Sequence, residues 1–185
     1  MITLTLAFIA ALSAPITSAE PAPSGDSLYG LTGTWTDQGG KALQLASFAG
    51  RPVVVAMIYT SCRAACPLTV ADMRAIEKKL DAATQSRVHF VLVSFDPARD
   101  APAALQRLAL EQGLDLGRWT LLTGTADDVR DLAAVLGMKI RPVHGEFVHS
   151  SIITILDARG VIAKQTLGVR EDPTVVAAMI KELAR

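Results

Sequence analysis

The apolar run Val53-Val54-Val55-Ala56-Met57-Ile58-Tyr59, followed after Thr60-Ser61 by Cys62-Arg63-Ala64-Ala65-Cys66-Pro67, constrains this chain more than any other stretch. The run is β-branched and bounded upstream by Gly50 and Pro52, which reads as a fully buried strand. Beyond the cysteines, Leu68, Ala71, Met73, Ile76 and Leu80 recur mostly at three- and four-residue spacing with Asp72, Glu77, Lys78 and Lys79 between them, the pattern of a half-buried helix. Pro67 suits the first turn of that helix, where its missing N–H costs nothing. The protein's two cysteines therefore fall where a buried strand hands over to a helix.

That position has chemical consequences. A helix N-terminus carries partial positive charge and free N–H groups, which favour thiolate over thiol. On helical geometry, residues four apart place their α-carbons ~6 Å from one another, inside the window a disulfide tolerates. Such a pair can cycle between dithiol and disulfide, or grip one soft metal ion. The plainer alternative is a structural disulfide or two small buried hydrophobes, although a disulfide closing so short a loop stabilises little.

Lys+Arg and Asp+Glu balance at 18 each, so no charge argues for nucleic acid or an acidic lipid surface as partner. At 185 residues, half of them hydrophobic, the chain fits one domain with an ample core. Residues 1–19 lack charged side chains, are apolar through Ala14 apart from Thr3, Thr5 and Ser13, and end in Thr17-Ser18-Ala19 before Glu20. This is the pattern of a signal peptide, and it is too short to span a bilayer comfortably. The expected organisation is a signal peptide over 1–19, a flexible Pro/Gly/Ser-rich lead over 20–32 and one domain over 33–185. Export, to the periplasm in a bacterial host, would place the thiols in an oxidising compartment. No other segment reaches membrane-spanning length.

Residues 33–45 read as a hairpin turning at Gln38-Gly39-Gly40, with Leu43, Leu45 and Phe48 packing it onto the domain. Val88 to Phe95 is a second buried strand ended by Asp96-Pro97. Helices are expected over 101–112 and 126–136, stopped by Gly113 and Gly137, with a short strand over 119–122 between them. Ile152–Leu156 and Val161–Leu167 flank the turn Asp157-Ala158-Arg159-Gly160, and Asp172-Pro173 opens a last helix. The order is β-α-β early and β-β-α late, around a helical insertion. That is an α/β architecture, with thiols at the end of the first core strand as in a thioredoxin-like domain.

Of three histidines, His89 lies in a buried strand and reads as structural, and His144 lies in a loop and reads as solvated. His149 precedes the strand that starts at Ile152, a position that thioredoxin-like folds bring beside the thiols. Two thiolates and one imidazole make a soft, low-coordinate donor set that suits Cu(I). Zinc in a structural site normally takes four ligands, and no third cysteine exists. Cu(II) would recruit a water or a carboxylate as well.

Cys62, Cys66 and Pro67 in Cys-x-x-x-Cys-Pro, Ser94, Asp96, Pro97 and Asp100 in Ser-x-Asp-Pro-x-x-Asp, His149-Ser150, and Leu156, Asp157 and Gly160 in Leu-Asp-x-x-Gly occur in one order. In that order the chain resembles the SCO/SenC family of copper-binding thioredoxin-like proteins over roughly residues 30–184. The resemblance implies Cys62, Cys66 and His149 as copper ligands and delivery of copper to the CuA centre of cytochrome oxidase. It implies a copper-acceptor protein such as oxidase subunit II as partner, and a monomeric chaperone. One departure is Val148, where many relatives carry an acidic residue beside the histidine. A further departure is the absence of a transmembrane anchor beyond the signal segment.

Two functions of different class follow. One is a metallochaperone holding copper on Cys62, Cys66 and His149. The other is a thiol–disulfide oxidoreductase, in which Cys62 or Cys66 attacks and the other resolves the mixed disulfide, served by a thiol-reducing partner. A peroxidase, using a thiolate beside Arg63, is the third and weakest. His149 separates the first two, because copper needs it as a ligand and exchange needs only thiols.

Overall fold

The structure, a computed structural model, describes residues 25–143, 146–167 and 171–185. The signal segment, residues 20–24 of the lead, and His144 lie outside the described residues.

A seven-stranded sheet carries the fold, in the order β2-β1-β5-β4-β3-β8-β9. Its middle strands are β3 (Val53–Ile58) and β4 (His89–Ser94), in parallel register from Val53 opposite His89 to Ile58 opposite Ser94. Every residue of both is buried, which is why neither shows alternation in sequence. Each Val, Leu, Ile or Phe they bury contributes about 1.5–3 kcal/mol relative to exposure. Parallel β5 (Trp119–Thr123) continues the sheet on one side. There β1 (Trp35–Asp37) and β2 (Ala42–Leu43) form the expected hairpin at its edge. On the other side, antiparallel β8 (Ile152–Leu156) and β9 (Ile162–Leu167) complete it.

The first helix, α1 (Ala65–Lys79), buries Cys66, Thr69, Val70, Met73 and Ile76, and packs beside the last helix, α5 (Pro173–Leu183). Its polar face is not idle. Glu77 accepts from Trp119 Nε1 at 3.1 Å and from Arg118 Nε at 2.9 Å, which ties the helix to β5. A short helix, α2 (Ala82–Gln85), follows, capped by Asp81. The helical insertion is α3 (Pro102–Glu111) before β5 and α4 (Ala126–Val135) after it. Thr125 and Asp128 build a capping box at the start of α4, and Asp172 caps α5 through Thr174 N. The fold is thioredoxin-like, as the element order implies.

Two expectations need correction. The second half of the lead is packed: Leu28 and Tyr29 are buried, Leu28 N donates to Gly160 O at 2.9 Å, and Ser27 pairs with Val161. A Pro/Gly/Ser-rich composition concealed that two-residue apolar anchor. The stretch before Ile152 is not a plain loop. Strands β6 (Ile140–Val143) and β7 (Glu146–His149) pair antiparallel as a separate two-stranded sheet, so His149 ends a strand instead of leading into one. Pro142 argues against a strand in sequence, but a two-stranded ribbon is all edge, where proline is tolerated.

Candidate metal centre

Both thiols sit at the carboxyl end of β3, where Cys62 N closes a turn onto Tyr59 O at 3.2 Å. Helix α1 has no side-chain cap at Ala64, and Cys62 serves instead: Cys66 N–H donates to Cys62 Sγ at 3.3 Å. The i,i+4 spacing thus aims a free helix N–H at one sulfur. Cys62 is half-buried and Cys66 is 5% exposed. Burial by itself would raise the Cys62 thiol, but hydrogen bonds from Cys66, from the Ala64 backbone and from His149 outweigh it and bring it down to about 7. Burial pushes the Cys66 thiol up against a hydrogen bond from the Tyr59 backbone, and its bond to Cys62 and the charges of Cys62 and Asp100 push the same way.

His149 arrives from β7. Its Nδ1 lies 3.1 Å from Ser150 O, a carbonyl that only accepts, so Nδ1 carries a proton and Nε2 is the nitrogen left to the thiols: a donor to the Cys62 thiolate when it too is protonated, a lone pair for a metal when it is not. The ring packs against Phe95 at 5.0 Å and edge-on to Tyr59 at 6.0 Å between centroids. Phe147, two residues earlier and so on the same face of β7, packs against the same two rings at 5.3 Å and 5.2 Å. The donor atoms of Cys62, Cys66 and His149 all lie within 4.8 Å of one another. Donor atoms gathered this closely could share one ion held at ~2.0–2.3 Å from each. Among the described residues this is the one trio of metal-ligating side chains so gathered.

Behind the thiols stands a polar clamp. Asp100 is fully buried and accepts from Thr60 N at 2.9 Å, Thr60 Oγ1 at 2.5 Å and Ser94 Oγ at 2.6 Å. It does not cap the helix that follows: α3 is led by Ala101 without a side-chain cap. Asp96 is buried too, donates its backbone N–H to Ser94 Oγ at 3.0 Å, and pairs with Arg99.

The structure brings Cys62, Cys66 and His149 together and leaves the other described histidine apart. His89 stacks on Phe48 at 5.2 Å and bonds Thr120 Oγ1 at 2.8 Å, at the end of β4 away from Ser94, as a structural residue. Missed by sequence reasoning were the aromatic wall of Tyr59, Phe95 and Phe147 and the Arg99 guanidinium 5.5 Å over the Phe147 ring. The available signal was an aromatic two residues before the histidine, in strand register with it.

Comparisons with known proteins agree with this geometry. The SCO1 protein homolog of Bacillus subtilis is 29% identical over 144 residues, covering 76% of this chain and 74% of that protein. A SCO1/SenC family lipoprotein from Bacillus anthracis is 27% identical in structure-based alignment, with a TM-score of 0.72 over 82% of this chain and 92% of its own. The copper-bound ScoI of Bradyrhizobium japonicum, at 22% identity, shares the fold with a TM-score of 0.69 over 82% of this chain and 96% of its own. Residues 23–185 match the SCO1/SenC family along nearly the whole described chain, and this protein belongs to that family.

Proposed function

We propose that this chain is an exported copper chaperone that holds Cu(I) on Cys62 Sγ, Cys66 Sγ and His149 Nε2 and passes it to the CuA centre of cytochrome c oxidase subunit II. The observation that carries the reading is the convergence of two sulfurs and one imidazole within 4.8 Å. Soft donors in low number suit Cu(I). A half-buried Cys62 leaves one side of the trio open to an incoming ligand, which transfer by ligand exchange requires. Copper-bound relatives and the family match support the metal. The oxidase target follows from the family resemblance, and export from the apolar segment over 1–19. Among the described residues no helix is long and apolar enough to cross a membrane.

Anaerobic Cu(I) titration of the reduced mature protein tests the site, with a competing chelator to read affinity. One equivalent should bind. His149→Ala should weaken binding by at least the ~10–100-fold that loss of a ligand's hydrogen-bonding partner alone costs. Wild-type affinity in that variant would overturn the three-ligand site.

The unequal thiols favour a second activity in the same protein. The Cys62 thiolate attacks a partner disulfide, forming a mixed disulfide and releasing one partner thiolate. Cys66 then loses its proton and attacks the Cys62 sulfur, closing the Cys62–Cys66 disulfide and releasing the second partner thiolate. The protein's two thiols are oxidised and the partner's disulfide is reduced, so a thiol-reducing protein must restore the pair. His149→Ala should leave this exchange largely intact.

A further inference from the structure

The hairpin that presents His149 is attached to the body in an unusual way. Among the described residues, strands β6 and β7 pair only with each other and share no ladder with the seven-stranded sheet. The two hydrogen bonds at its base, Ser150 N to Lys139 O and Lys139 N to Ser150 Oγ, both at 3.0 Å, close the hairpin on itself. Its contact with the thiol region runs through side chains: Phe147 and His149 against Tyr59 and Phe95, and Arg99 over Phe147. Tyr59 and Phe95 belong to the rigid core, with 4% exposure each. Arg99 adds a charged link between the two pieces. It ion-pairs with buried Asp96, whose backbone is pinned by Ser94, and lies 5.5 Å from the Phe147 ring centroid.

We propose that Arg99 is a positioning residue for His149: anchored on Asp96 and seated over Phe147, it holds the β6–β7 hairpin against the body and so keeps the imidazole on the two thiols. The inference rests on the reading of His149 as a copper ligand. Arg99 acts through Phe147, which shares its face of β7 with His149. A guanidinium over an aromatic face contributes modestly in the open and more when desolvated. Its side chain is 47% exposed, so the clasp is a weak one that water can enter.

The test is a double-variant cycle on Cu(I) affinity, paired with hydrogen exchange of the metal-free protein. Arg99→Ala should weaken Cu(I) binding about 2- to 5-fold, the range of one such contact at a partly exposed site, and Arg99→Lys should restore most of it. In a His149→Ala background, Arg99→Ala should have no further effect, because the ligand it positions is gone. In metal-free Arg99→Ala, the amides of 147–150 should exchange faster while those of β3 and β4 do not change. An equal loss of affinity in both backgrounds, or none in either, overturns the proposal, as does unchanged exchange at 147–150. If His149→Ala alone leaves affinity intact, the ligand reading fails, and the exchange measurement still decides whether Arg99 holds the hairpin. Should Arg99→Ala not fold, Arg99→Gln keeps the stem and a polar tip for Asp96 but removes the cation over Phe147, with the same expected and overturning results.

Discussion

Asp100 grips Thr60 twice, through Oδ2 to the backbone N–H at 2.9 Å and through Oδ1 to the hydroxyl at 2.5 Å. Thr60 lies two residues before Cys62, and the same carboxylate takes the Ser94 hydroxyl from the neighbouring strand. One buried side chain thus fixes the start of the cysteine loop to the end of β4.

Asp100→Ala removes the acceptor for three donors in or near the core, each costing about 1–3 kcal/mol when left unpaired. Thr60 is half-buried and regains water in part, so a loss of about 3 kcal/mol is expected in urea unfolding. Asp100→Asn should lose less, since it keeps one oxygen and the shape.

The thiols should differ in reactivity. With Cys62 at about 7 and Cys66 held above the usual thiol range, limited alkylation followed by peptide mapping should find the label on Cys62. Its rate should climb through a midpoint near pH 7, because the thiolate is the reacting form. Equal labelling of both, or a midpoint at the ordinary thiol value, would contradict the hydrogen-bonding account.

His89 makes stability depend on acid. Burial, reinforced by the charge of Arg51, holds its imidazolium off until about pH 4, against 6.5 in the unfolded chain. The unfolded state therefore binds the extra proton first. Stability is complete above about pH 6.5 and falls as pH drops toward 4, by up to about 3 kcal/mol. In urea melts across that window, His89→Phe should flatten the slope.

Gly160 adopts φ +79°, and a Cβ there would meet Tyr29 Cδ2 at 2.5 Å. Gly113 has a similar φ, +59°, with open space around it. Gly113→Ala should cost about 1–2 kcal/mol from backbone strain alone, and Gly160→Ala about 1–3 kcal/mol more, because the buried ring must move. Thermal unfolding of the two variants side by side checks the difference.

The sequence was most readable where a single element decides its own form. Buried strands β3 and β4, the capped starts of α4 and α5, and the cysteine pair at a helix start all follow from local residue order. His149 was legible as a partner of the thiols only through the fold class. The hairpin carrying it was not, since Pro142 obscures the strand pattern and its pairing is with its own next strand. Nor was the role of Asp100, because its partners lie 40 and 6 residues away and a Pro-rich turn suggests capping first. Contacts made across the fold leave no periodic trace.

The hairpin's separation from the large sheet divides the labour of selection. Residues that decide whether the chain folds lie in one hydrogen-bonded ladder, and the residue that completes the donor trio lies in another. Val148, 55% exposed, lies on that second ladder beside the proposed ligand. On the proposed reading, substitutions around the imidazole act on copper affinity while substitutions in β3 and β4 act on folding, so affinity and stability are separable properties of one chain.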